Sequence, residues 1–157
     1  MVQAMGCVVP FPNTATVQFD RTKARDKVSV VRVLVVEDFA QFRQFVCSVL
    51  GNRQGLQVVG EASDGLEAVQ KAVELKPDLV LMDIGLPYLN GIEAARQIRE
   101  LIPDGKIIFL TQESSDVVVE QARSLGAQAY VVKVNAGIDL IPAIEAVISG
   151  RQFASGR

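Results

Sequence analysis

The sequence predicts an α/β fold in which five parallel strands form one sheet with helices on both faces. Five short apolar runs recur along the chain, too far apart for tight hairpins and well spaced for one helix between consecutive strands. The segments between these runs carry apolar residues at helical spacing. Alternation of strand and helix implies a parallel sheet with right-handed crossovers.

The strand segments are almost continuously apolar and rich in β-branched residues, which is typical of strands buried on both faces. We predict strands in VSVVRVLVV from Val28, LQVVGEA from Leu56, DLVLMD from Asp78, KIIFLT from Lys106 and AQAYVVK from Ala127. Each strand is followed by a segment that is long enough for a helix to cover the sheet.

The helix boundaries are marked by capping signals. Asp64 and Asn90 are each followed three residues later by a glutamate, which is the spacing of a capping box. Gly51, Gly126 and Gly150 stand where a helix end favours a left-handed residue. Apolar residues at i, i+3, i+4, i+7 and i+8 predict the first helix; they are Phe42, Phe45, Val46, Val49 and Leu50.

These elements predict one domain at residues 28–150. Residues 1–27 contain prolines and mixed charge without a regular pattern, and they are expected to form a flexible N-terminal tail. Residues 151–157 are expected to form a short C-terminal tail.

Composition narrows the classes of function. Apolar residues make up 49% of the chain and the formal net charge is -2, so we expect no direct nucleic-acid binding by this chain. No apolar stretch approaches the roughly 20 residues of a membrane span, and no membrane association is expected. Cys7 and Cys47 form no CxxC pair, which favours a reduced, cytoplasmic setting. Histidine is absent, so this chain cannot use it as a base, a metal ligand or a phosphoryl carrier.

Chemically active side chains stand at the ends of four predicted strands. The acidic pair Glu37 and Asp38 follows the first strand, Asp83 ends the third, Thr111 ends the fourth and Lys133 ends the fifth. The carboxyl ends of parallel strands meet at one edge of the sheet, where ligands of such folds bind. We therefore expect these five side chains to form one site.

Crowded carboxylates repel one another and are costly to desolvate, so they favour a bound hard cation such as Mg²⁺. One carboxylate could then attack phosphorus as a nucleophile, while Lys133 and Thr111 contact the phosphoryl oxygens. A simpler interpretation exists for each residue alone. Strand ends are often acidic because they are solvated, Asp38 could cap a helix, and Lys133 could be a surface charge.

The same residues resemble the receiver domain of bacterial two-component response regulators. The resemblance is carried by Glu37 and Asp38, by LVLMDIGLPYLNG around Asp83, by Thr111 after IIFL and by Lys133 after AYVV. It extends from about Val30 to Gly150. It implies a flavodoxin-like (βα)5 fold, a three-layer sandwich around a five-stranded parallel sheet.

The resemblance also implies a role for each residue of the site. Asp83 would be the phosphoacceptor, and a sensor histidine kinase or a phosphotransfer protein would be the donor. Mg²⁺ would be held by Glu37, Asp38, Asp83 and the backbone carbonyl of Gly85. Lys133 would contact the phosphate. Thr111 and Tyr130 would be the paired switch residues of the site. The resemblance also makes a homodimer a possible partner state.

The segment AGIDLIPAIEAVISGRQF resembles the last helix of receivers that are usually joined to a LuxR-type helix-turn-helix domain, for which residues 151–157 are too few. Two other functions remain open. A phosphatase with an aspartate nucleophile would need a second aspartate two residues after Asp83, where this chain has Gly85. A pseudo-receiver, which binds partners without phosphotransfer, usually lacks part of the acidic pair, the acceptor or the lysine.

Overall fold

The computed structural model describes residues 29–112 and 116–155. The predicted N-terminal tail at residues 1–27 lies outside this part of the chain, as do the last two residues of the predicted C-terminal tail.

Strands and helices alternate along the described chain as the sequence predicts. The strands are β1 Val31–Val36, β2 Leu56–Ala62, β3 Leu79–Asp83, β4 Lys106–Thr111, β5 Ala129–Val132 and β6 Phe153–Ala154. The helices are α1 Ala40–Gly51, α2 Gly65–Leu75, α3 Gly91–Leu101, α4 Asp116–Ser124 and α5 Ala136–Ile148, and a 3₁₀ turn at Lys133–Asn135 precedes α5. Among the helices described, none is both long and apolar enough to cross a membrane.

The strands form one sheet in the order β2-β1-β3-β4-β5-β6, and all neighbouring pairs are parallel. The predicted α/β fold is confirmed. The order places β1 and β3 side by side within the sheet. The acidic residues at the carboxyl ends of these two strands are therefore brought to the same edge.

The number of strands differs from the five predicted, because a sixth short strand forms in the stretch assigned to the C-terminal tail. Gly150 has φ +81° and turns the chain after α5, which lets β6 return beside β5. The Phe153 amide donates to the Gln128 carbonyl at 3.0 Å, and the Ser155 amide donates to the Tyr130 carbonyl at 3.2 Å. These bonds satisfy backbone groups of β5 that would otherwise lie on an open sheet edge.

Two hydrophobic clusters cover the two faces of the sheet, which confirms the three-layer arrangement. On one face, α1 and α5 bury aliphatic side chains that include Leu50, Leu140 and Ile144. On the other face, α2, α3 and α4 bury mainly alanines and Ile98. Strands covered on both faces explain why the predicted strand segments are apolar throughout rather than alternating.

The capping residues predicted for two helices are confirmed. The Asp64 side chain accepts a hydrogen bond from the Glu67 amide at 2.8 Å, and the Asn90 side chain accepts one from the Glu93 amide at 2.9 Å. Gly126 has the expected left-handed backbone, with φ +80°. The prediction for Gly51 is wrong, because this residue is the last of α1 and the chain turns with positive φ only at Gly55.

Candidate functional site

An open cavity of about 820 Å³ lies at the carboxyl edge of the sheet. Its walls come from the loops that follow β1, β3, β4 and β5, which is where a parallel sheet of this kind places its ligand site. The lining residues are Glu37, Asp38, Phe39, Phe42, Asp83, Ile84, Gly85, Thr111, Gln112, Lys133 and Val134. All of the predicted site residues except Tyr130 lie here.

Three carboxylates meet within this cavity. One oxygen from each of Glu37, Asp38 and Asp83 lies within 4.8 Å of the other two. Glu37 and Asp83 are buried, whereas Asp38 is exposed at the mouth. Since β1 and β3 are neighbours in the sheet, the acidic residues at their carboxyl ends converge without a positive φ at any of the three.

Lys133 reaches the acidic cluster from the far side of β4. Its Nζ lies 2.7 Å from Glu37 Oε1 and 3.1 Å from Asp83 Oδ1. The 3₁₀ turn that directly follows β5 carries this residue, and the ammonium also lies 5.2 Å from the centre of the Phe42 ring. Lys133 is largely buried, so it is part of the site and the simpler interpretation as a surface charge is wrong.

The electrostatics of the cluster favour a further positive group. Burial, together with the negative charge of Glu37, raises the pKa of Asp83 from 3.8 to about 6, although Lys133 opposes this shift. Burial disfavours the charged form of Lys133, but the two carboxylates outweigh it and raise the pKa of its ammonium. One ammonium therefore leaves the negative charge on these three acids only partly balanced.

The donor set fits a hard divalent cation. All three side chains offer carboxylate oxygens, and the lining contains neither a cysteine nor a histidine, which is the chemistry that Mg²⁺ prefers. Gly85 also lines the cavity, and its amide donates to Asp83 Oδ1 at 3.2 Å. The cation and the Gly85 carbonyl as a ligand remain predictions.

Thr111 and Tyr130 lie in different places. Thr111 is buried at the end of β4 and lines the cavity beside Asp83. Tyr130 is buried within β5 and lines a second, separate cavity between α4 and β6, whose lining also includes Phe153. The structure therefore brings Thr111 to the acidic cluster but does not bring Tyr130 there, and the switch role of both remains a prediction.

Arg43 is a residue at this site that the sequence analysis did not identify. It lies in α1, where its side chain donates to the Glu37 carbonyl at 2.8 Å and to Glu61 Oε1 at 3.0 Å. The sequence holds one relevant signal. A basic residue five positions after Asp38 lies about one helical turn into α1, so its side chain can reach back to the loop that carries the acidic pair.

Comparisons with known proteins agree with this geometry. A sequence profile described as the response regulator receiver domain matches residues 33–145. The response regulator GacA of Pseudomonas viridiflava is 37% identical over 126 residues, which are 80% of this chain and 59% of that protein. The transcriptional regulatory protein PdtaR of Mycobacterium tuberculosis is 46% identical over 120 residues, which are 75% of this chain and 57% of that protein.

A solved structure gives the same result for the fold. The crystal structure of a LuxR-family two-component response regulator from Aurantimonas superposes with a TM-score of 0.76 at 35% identity, covering 80% of this chain and 89% of that chain. The chain spans less than two thirds of the length of the two curated relatives above. Profile, relatives and superposition cover the part of the chain that holds the cavity, and the chain belongs to the receiver-domain family of two-component response regulators.

Proposed function

We propose that Asp83 accepts a phosphoryl group from a sensor histidine kinase or a phosphotransfer protein, and that this modification switches a partner-binding surface. The observation that carries the proposal is the position of the Asp83 carboxylate. It is a buried acid in the lining of an open cavity, between a lysine ammonium and two further carboxylates. A group with only a structural role would not need an open path to solvent.

In the proposed reaction, an Asp83 oxygen attacks the phosphorus of a phosphohistidine on the partner. A new P–O bond forms, the P–N bond breaks, and its electron pair stays on the imidazole nitrogen, which then takes up a proton. Asp83 must be ionised to attack, and a pKa of about 6 leaves it mostly ionised at neutral pH. The Lys133 ammonium offsets the negative charge of the phosphoryl oxygens during the transfer.

The acidic residues Glu37, Asp38 and Asp83, with the Gly85 carbonyl, would hold Mg²⁺. When bound, the cation would offset charge on the phosphoryl oxygens during transfer. The Phe39 amide donates to Glu37 Oε2 at 3.0 Å, and the Lys133 ammonium forms an ion pair with Oε1. Of Glu37 and Asp38, Asp38 is the more accessible to solvent, since it is exposed at the mouth of the cavity.

The proposed switch uses Thr111 at the cavity and Tyr130 on β5. A phosphoryl group on Asp83 adds acceptor oxygens next to the Thr111 hydroxyl. A shift of Thr111 toward them would change the positions of neighbouring residues in β4 and β5. The two strands are hydrogen-bonded in register, with Phe109 opposite Tyr130 and Thr111 opposite Val132.

Acetyl phosphate with Mg²⁺ provides the test, because a small phosphodonor reaches the cavity without a kinase. We expect an intact-mass increase of one phosphoryl group that hydroxylamine removes, as it does from an acyl phosphate. The Asp83→Asn variant should show no increase. Asp104→Asn, at an exposed aspartate in the turn before β4, should behave as the wild type. A mass increase that persists in Asp83→Asn would contradict the assignment.

A further inference from the structure

We propose that Arg43 is a positioning residue that holds the loop carrying Glu37 and Asp38 in the geometry that binds a divalent cation. The inference rests on the proposed function, since it concerns the cation site assigned to that loop. It assigns Arg43 no contact with phosphate or cation. Arg43 would act by holding the backbone of the residues whose side chains provide the ligands.

Arg43 binds the loop on both sides of Asp38. Its Nη1 donates to the Glu37 carbonyl at 2.8 Å, and its own backbone amide donates to the Phe39 carbonyl at 3.0 Å. The bond to Phe39 is a backbone bond of the helix start that any side chain would leave in place, so the part that depends on the arginine is the bond to the Glu37 carbonyl. Since Asp38 is exposed, the packing of its own side chain cannot supply this order.

The side-chain bond from Arg43 satisfies a backbone group of Glu37. Its amide donates to the Ala62 carbonyl at 2.9 Å, and its carboxylate contacts the Phe39 amide and Lys133. Arg43 provides the donor for the Glu37 carbonyl. Loss of that donor would leave a part-buried carbonyl unsatisfied, which favours a change in the loop.

The second contact of the guanidinium ties the loop to the neighbouring strand. Arg43 Nε donates to Glu61 Oε1 at 3.0 Å. Glu61 is the second-last residue of β2, and Lys71 of α2 donates to its carbonyl. A planar guanidinium can serve both acceptors at once, whereas a lysine ammonium of the same charge can be directed at only one of them in this geometry. The arrangement therefore depends on the shape of the arginine side chain as well as on its charge.

Residues that orient metal ligands typically change metal affinity about 10-fold or more when they are replaced. We expect Arg43→Gln and Arg43→Lys each to weaken Mg²⁺ binding about 10-fold, as measured by titration calorimetry. The lysine variant keeps the charge, so a loss there reports geometry. Arg53→Gln is the matched control, because it removes the same charge from an exposed ion pair with Glu145, and it should bind Mg²⁺ as the wild type does.

A second measurement follows the loop without any cation. In metal-free protein, hydrogen exchange at the Phe39 amide, which donates to Glu37 Oε2, should be faster in both Arg43 variants than in wild type and Arg53→Gln. A wild type that binds no Mg²⁺ would contradict the proposed function. Normal wild-type binding with unchanged affinity and unchanged Phe39 exchange in both Arg43 variants would overturn this inference alone.

Discussion

Replacing Lys133 with methionine is expected to destabilise the metal-free protein by about 3 kcal/mol, because it removes one partner of a buried charge cluster. The ammonium lies within 3.1 Å of both Glu37 and Asp83, and both carboxylates are buried. Methionine fills similar volume but leaves two negative groups facing each other in a poorly solvated site. Urea unfolding at about pH 7.5 in the presence of a chelator measures the effect.

Two comparisons separate lost charge from lost packing. In the double variant Lys133→Met with Asp83→Asn, one of the two opposed charges is gone, so most of the stability should return. Lys76→Met replaces an exposed lysine and should stay within about 0.5 kcal/mol of wild type. If the double variant is as unstable as Lys133→Met alone, charge repulsion is not the cause.

The contribution of Asp83 to the stability of the folded protein depends on pH with a definite sign. The pKa of Asp83 is raised from 3.8 to about 6, so between these values the folded protein holds a proton on Asp83 that the unfolded chain has released. Stability from this group is therefore present at low pH and is lost as pH rises through about 6. Without Lys133 the repulsion grows, so the deficit of Lys133→Met should shrink as pH falls. A deficit that is constant from about pH 5 to pH 7.5 would contradict this explanation.

The residues of the site could be predicted because they sit at strand ends. Alternation of strand and helix forces the strands to be parallel, and parallel strands place Asp83, Thr111 and Lys133 at one edge whatever their distance in sequence. Tyr130 is inside a strand, where the face toward which a side chain points depends on register. Its position between α4 and β6 therefore needed the structure.

Other features depend on single tertiary contacts. Strand β6 has two residues, which is too short for any periodic signal, and it forms because an open edge of β5 is available to it. Arg43 looks like an ordinary polar residue of an amphipathic helix until the Glu37 carbonyl is placed beside it. The prediction for Gly51 is wrong because α1 extends over this residue, and nothing within the apolar pattern determines the residue at which the helix ends.

A second large loss of stability is expected when Gly91, the first residue of α3, is replaced by alanine. A Cβ atom there would lie 2.0 Å from the carbonyl oxygen of Asp83 and 2.8 Å from the Cα of Ile84. The Gly91 amide also donates to the Ile84 carbonyl at 2.9 Å, so the helix start is held against the backbone that carries the acceptor. These are backbone atoms, so the clash cannot be relieved by a change of side-chain rotamer.

We therefore expect Gly91→Ala to lower the free energy of unfolding by about 3 kcal/mol and to slow phosphorylation by acetyl phosphate, since relief of the clash moves either α3 or the end of β3. Gly51→Ala is the matched control. A Cβ at Gly51 meets nothing within 4 Å and the residue is helical, so alanine should leave stability unchanged or raise it by about 0.5–1 kcal/mol. Urea unfolding and phosphorylation rates of both variants provide the measurement. A Gly91→Ala variant as stable and as reactive as Gly51→Ala would show that the loop after Asp83 is free to move, and that the close approach of α3 does not hold the acceptor in place.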